Sequence, residues 1–200
     1  MKLYASAASP YARIIRAMMI EKNLGEQVEI NWLNPWDSPE ELVEANPFSR
    51  VPTLVTDQGQ QLTESLIIAH YLERLFPDPA LIPAGAPEPA LAKLGLAAGA
   101  IDSAVGLVIA RRFEVDLKTD PMARRRIAAL DNSFPVMAGM VSDSPTPDLG
   151  DLALAVSLGY LDFRLAGVDG LEWSTLTPEL KQWYETIAQR PSLAETAPHD

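Results

Sequence analysis

A mixed α/β segment followed by an all-helical segment is the architecture this sequence predicts, and three observations predict it. Over roughly the first eighty residues, short apolar or alternating runs take turns with runs of helical spacing. A proline-dense stretch, PDPALIPAGAPEPA, then interrupts all regular structure. After it every periodic segment has helical spacing, and strand signals do not return.

The elements follow in order. Residues 2–5 form a short apolar strand, and residues 10–24 carry helical spacing that stops before Gly25. Residues 27–33 alternate, with Val28, Ile30 and Trp32 against Gln27, Glu29 and Asn31, so Trp32 is expected in the core. Strand, helix and strand of these lengths suit a right-handed crossover between parallel strands. Ser38 is expected to cap a short helix with Pro39 at its first position, ended by Asn46-Pro47. Residues 51–56 and 61–63 read as strands about an Asp57-Gln58-Gly59 turn, and residues 64–75 as a helix stopped by Phe76-Pro77. The order is βαβαββα over residues 1–77, with a linker at 78–87 and an all-helical domain at 88–200. Helices are expected there at 88–113, 121–141, 148–166 and 178–189.

Composition removes several function classes. The chain has 200 residues, 48% of them hydrophobic, enough to bury a proper core. It has no cysteine, which excludes disulfides, thiolate metal sites and a cysteine nucleophile; any thiol chemistry must bring its own thiol. A formal charge of -11 and a pI near 4.6 argue against nucleic acid. The one dense basic cluster, Arg124-Arg125-Arg126, reads as a solvated helix face. Two histidines, His70 and His199, make no multi-histidine metal site, and no metal is expected. No uninterrupted apolar run is long enough to span a bilayer, and no long apolar stretch follows Lys2, so a cytoplasmic location is expected.

Three local patterns could bind an anion or simply cap a helix. Ser9 precedes Pro10 at a helix start, where a serine is an ordinary N-cap. Glu64-Ser65 follows Thr63 at another, where threonine caps well and glutamate suits the first turn. The Val51-Pro52 bond is expected to be trans on sequence alone. Near the other end, Asp148 and Asp151 have the spacing of a capping box, a folding device rather than a catalytic one.

Taken together, five motifs resemble the soluble glutathione transferases, and the serine-type bacterial members in particular. They are SPYARIIR (9–16), NPFSRVPTL (46–54), LTESLIIAHYLE (62–73), DLGDLALAV (148–156) and RPSL (190–193). Asp148 stands where that family usually has Ser or Thr, and Gly150 where alanine is usual, for which only a small local cost is expected.

The resemblance implies a thioredoxin-like N-terminal domain, a helical C-terminal domain and a homodimer. It implies glutathione as co-substrate, conjugated through sulfur to a small hydrophobic electrophile without a metal. It makes Val51-Pro52 cis, with the Val51 main chain pairing with the cysteinyl backbone of glutathione. It gives Glu64 and Ser65 to the γ-glutamyl end and Arg50 to the glycyl carboxylate. A thiol with pKa near 8.5 is mostly protonated at neutral pH, and a hydroxyl at a helix N-terminus offers the donor and positive potential that favour the thiolate. Ser9 is the expected donor, with Ser6 and Tyr4 as rivals. Tyr11, Trp36 and Arg111 are candidate site-lining residues; Arg111 lies with Ala110, Arg112 and Phe113 along the expected electrophile wall. Other glutathione-dependent activities (lyase, isomerase or peroxidase), or a noncatalytic binding or regulatory protein of the same fold, are the alternatives.

Overall fold

The first apolar run forms β1 (Lys2–Ala5), whose last three residues are buried. Ser9-Pro10 then starts α1 (Pro10–Glu21), which ends short of the expected Leu24. β2 (Glu29–Trp32) follows, then a single 3-10 turn at Pro35–Asp37 and the short α2 (Glu40–Ala45). β3 (Thr53–Val55), β4 (Gln61–Thr63) and α3 (Ser65–Leu75) complete the run. The sheet order is β2-β1-β3-β4, with β1 parallel to β2 and the other pairs antiparallel. Leu3, Ile14, Ile15, Met18, Leu54, Ile68 and Leu72, from the sheet, α1 and α3, are essentially inaccessible to solvent.

All 200 residues are described by the structure, a computed structural model. The chain divides into two compact units, Met1–Leu81 with Pro191–Asp200, and Ile82–Arg190. The second unit is helical throughout: α4 (Glu88–Arg112), α5 (Pro121–Met140), α6 (Leu149–Leu165), α7 (Trp173–Leu176) and α8 (Pro178–Ile187). By length and composition α4 alone could cross a bilayer; here it packs along α6 and α5. α6 is buried on nearly every side from Leu149 to Leu161. Trp173 closes this core, donating from Nε1 to Asp162 Oδ1 at 2.8 Å and meeting the Tyr184 ring edge-on at 5.2 Å.

Four expectations change. Trp32 is 52% exposed, because it ends β2, an edge strand of the sheet, and what lies over its ring is the Arg16 guanidinium rather than an apolar core. Ser38 does not cap α2; its backbone is left-handed (φ 46°, ψ 53°) and its N–H closes the 3-10 turn on Pro35 O. Arg126 is not wholly solvated, because it lies across Gly106 of α4, where a Cβ would sit 2.3 Å from its Nε. Finally, residues 191–200 do not stay with the helical unit. α9 (Pro191–Ala194) returns to α1, where Arg13 donates to Leu193 O at 3.0 Å and Ser192 donates to Glu21.

Candidate functional site

The strand register brings three distant segments to one end of the sheet. Tyr4 on β1 pairs with Thr53 on β3, and Thr53 pairs with Thr63 on β4. Because both pairs are antiparallel, the end of β1, the start of β3 and the end of β4 lie side by side. The chain leaves β1 toward Ser6 and Ser9, arrives at β3 through Val51-Pro52, and leaves β4 into Glu64-Ser65. The segments that carry residues 9, 51, 52, 64 and 65 are thus collected at one end of the sheet by hydrogen-bonded register.

Ser9 is the N-cap of α1, and its Oγ accepts from Ala12 N at 3.2 Å. That bond uses a lone pair only, so the hydroxyl proton remains available to an anion at the helix mouth. Capping and anion binding are compatible here. Ser6 offers its carbonyl to Ser9 N at 3.2 Å, tightening the turn. Tyr4, the other rival hydroxyl, is buried in a cluster with Leu42, Ala45 and Val51. Tyr11 is half-buried in the first turn of α1.

Val51-Pro52 is a cis peptide, as is Asp78-Pro79, which the sequence did not suggest. The Val51 N–H and C=O enter no backbone hydrogen bond, although the residue is only 8% exposed. Asn46 fixes this loop, and sequence reasoning saw it only as a helix stop. Its Nδ2 donates to Arg50 O at 3.2 Å and Thr53 Oγ1 at 3.1 Å, while its Oδ1 accepts from Phe48 N at 3.1 Å. An asparagine just after a helix, able to bond the backbone two residues on, was the available signal. The Arg50 side chain itself is exposed, as is Trp36.

At α3 the cap position belongs to Glu64 rather than Thr63, which stays in β4. Glu64 is exposed with φ 67°, a left-handed backbone uncommon for this residue type, and no side chain caps the helix. Ser65 is buried at the first helical position. The first-turn N–H groups therefore lack a protein acceptor and favour an anion.

In the helical unit, Asp148 Oδ1 accepts from Asp151 N at 3.0 Å and Asp151 Oδ2 accepts from Asp148 N at 3.1 Å, a complete capping box. Lys93 of α4, not foreseen, donates to Asp148 at 2.7 Å and to Asp151 at 2.6 Å. Burial raises the Asp151 carboxyl above its ordinary range against the opposing pull of Lys93. Burial would lower the Lys93 ammonium, but its bonds to both carboxylates outweigh that and raise it. Gly150 makes the approach possible. A Cβ there would fall 2.5 Å from Ala90 O and 2.6 Å from Lys93 Cβ, so the missing methyl is a fit between helices rather than a local cost. Arg111 caps the other end of α6, donating to Arg164 O at 2.8 Å.

Comparison with known proteins agrees with this geometry. A family model described as "Glutathione S-transferase, N-terminal domain" matches residues 3–80. The Escherichia coli K12 protein named "Uncharacterized GST-like protein YibF" is 31% identical over 99% of this chain and 98% of its own. Glutathione S-transferase omega-1 of Rattus norvegicus is 28% identical over 95% of this chain and 77% of its own. Among solved structures, a glutathione transferase family member from Pseudomonas fluorescens Pf-5 with bound glutathione superposes with TM-score 0.87 at 28% identity, over 100% of this chain and 99% of that one. A glutathione S-transferase from Methylobacterium radiotolerans in complex with glutathione sulfonate gives 0.86 at 28%, over 100% and 95%. With a full-length relative above thirty per cent identity and the N-terminal domain matched, the chain belongs to the glutathione S-transferase family.

Proposed function

We propose that this protein is a serine-type glutathione transferase that holds the glutathione thiolate at Ser9 and adds it to a small hydrophobic electrophile. The observation that carries this reading is the single row Tyr4, Thr53, Thr63, which brings the segments of Ser9, Val51-Pro52 and Glu64-Ser65 to one end of the sheet. The vacant N–H groups at the start of α3, with the Ser65 hydroxyl, receive the γ-glutamyl carboxylate, and Glu64 pairs with its ammonium. The unpaired Val51 main chain bonds the cysteinyl backbone as an added strand would. Arg50, exposed beside it, meets the glycyl carboxylate.

The thiol then lies at the mouth of α1. It gives its proton to solvent, and the Ser9 hydroxyl donates to the sulfur anion while the helix N-terminus lowers the energy of the charge. The thiolate forms the new bond to the electrophilic carbon, whose leaving group or displaced π electrons take the negative charge. Solved relatives holding glutathione or its sulfonate support the ligand assignment. We further place the protein in the cytoplasm as a homodimer serving detoxification.

Calorimetric titration with glutathione, followed by thiolate absorbance across pH, tests the reading. Binding with a thiol pKa well below ~8.5, and a turnover loss of roughly ten- to a hundredfold in Ser9→Ala at unchanged affinity, are expected. Binding without turnover on any electrophile would instead favour a noncatalytic protein of this fold. No binding at millimolar glutathione would refute both.

A further inference from the structure

Arg16 is an unusual group for an interior. It is 6% exposed, and its Nη1 is buried with no hydrogen-bond partner. No carboxylate faces it. Burial first, and then the like charge of Arg13 on the same helix, push its pKa down to about 10, so it remains a cation at neutral pH. The acids that α1 and α3 hold within this unit, Glu21 and Glu73, are engaged by Ser192 and Lys22. What Arg16 does have is Trp32, with its guanidinium carbon 4.7 Å from the ring centroid. An aromatic face gives a cation partial compensation and leaves its charge unneutralised. An unpaired buried charge is costly, so its presence calls for a reason.

Two independent relations bring that charge to the working end of the sheet. Trp32 is in register with Ala5, the last residue of β1 before the Ser6–Ser9 turn. Arg16 also lies two helical turns from Ser9, roughly 10 Å along the axis, and helical side chains lean toward the N-terminus, shortening that separation. We propose that Arg16 is a positioning residue for the reaction, a cation kept unpaired under Trp32 so that its field reaches the sulfur held at Ser9 and favours the ionised thiol. This inference rests on the thiolate reading of Ser9 and adds to it a second source of positive potential. Coulomb's law at ~10 Å with an effective dielectric constant of ~20 gives a change of about 1 in the pKa of the bound thiol.

The test titrates bound glutathione by its thiolate absorbance in the wild type, Arg16→Met, Arg16→Lys and Trp32→Ala, with urea unfolding of each in parallel. Arg16→Met should raise the bound-thiol pKa by about 1, and Arg16→Lys, which keeps the charge, should restore most of the difference whatever its effect on stability. Trp32→Ala, at a half-exposed edge position, lets water reach the guanidinium and should give a smaller rise in the same direction. That variant decides the matter should Arg16→Met not fold. A wild-type thiol pKa well below the free value that stays the same in Arg16→Met, or in Trp32→Ala, overturns the role of Arg16 and leaves Ser9 untouched. A wild-type thiol pKa equal to the free value defeats the Ser9 reading itself.

Discussion

Replacing Lys93 with methionine isolates the charge balance at the start of α6. In the native chain the ammonium lies 2.7 Å from Asp148 and 2.6 Å from Asp151, and the three side chains are 9%, 19% and 6% exposed. Methionine keeps most of the volume and removes the charge, leaving two carboxylates adjacent and largely dehydrated. Breaking a buried pair from one side costs about 3–5 kcal/mol, a large part of the roughly 5–15 kcal/mol that holds a domain folded. At roughly 2–4 °C per kcal/mol for a chain of this size, the melting temperature should drop by about 6–20 °C.

The pH dependence carries a sign of its own. The folded Asp151 carboxyl is already raised above 3.8, so the folded state binds its proton more readily than the unfolded chain and that group disfavours folding at neutral pH. The burden is relieved as pH falls through the folded value. Lys93→Met must raise Asp151 further, so the gap to wild type should be widest at neutral pH and narrow on acidification toward 3.8. The raised Lys93 ammonium contributes stability below its unfolded value of 10.5 and loses it as pH rises through the higher folded value. Urea denaturation of both proteins at several pH values from neutral to acidic measures this. A cost under ~1 kcal/mol at pH 7, or a gap that does not change with pH, would refute the reasoning.

Three further outcomes are expected. Gly150→Ala should lower stability by about 1–3 kcal/mol in thermal melts, because the new methyl meets the Ala90 carbonyl, which cannot rotate away; a variant as stable as wild type would show that α4 and α6 separate freely. Asn46→Ala should cost roughly 1–3 kcal/mol and weaken glutathione binding through a looser 46–53 loop, while unchanged binding would separate that loop from the site. Ser65→Ala should raise the glutathione dissociation constant in calorimetry by roughly tenfold, the loss of one hydrogen bond to a charged group, and an unaltered constant would leave Ser65 a plain first-turn residue.

How much of this was legible in the sequence follows from the range of the interactions involved. The order of strands and helices in the first unit was readable because each element announces itself locally, by alternation, by Pro10 after Ser9, or by Phe76-Pro77. The capping box was readable too, its two members being three residues apart. Lys93 was not, since its partners lie 58 positions or so away and a lone lysine in a helix reads as surface. Trp32 misled for a related reason: alternation assigns a face but does not say that a strand lies at the edge of its sheet. Thr63 and Ser38 lost their expected cap roles to neighbours, a matter of one residue that φ angles decide and composition does not. The site was legible as separate motifs; only the Tyr4, Thr53, Thr63 register joined them.

The return of residues 191–200 to α1 makes the first compact unit discontinuous in sequence. The Leu193 carbonyl and the Thr196 hydroxyl that accept from Arg13 lie 180 and 183 positions away from it. The helical unit, by contrast, is continuous from Ile82 to Arg190. Fastening α1 at that arginine therefore requires closing a loop that contains the whole helical unit, and contacts of such long range are entropically costly and slow to form. In refolding, protection of the α1 amides should lag behind protection of the amides in α4 and α6.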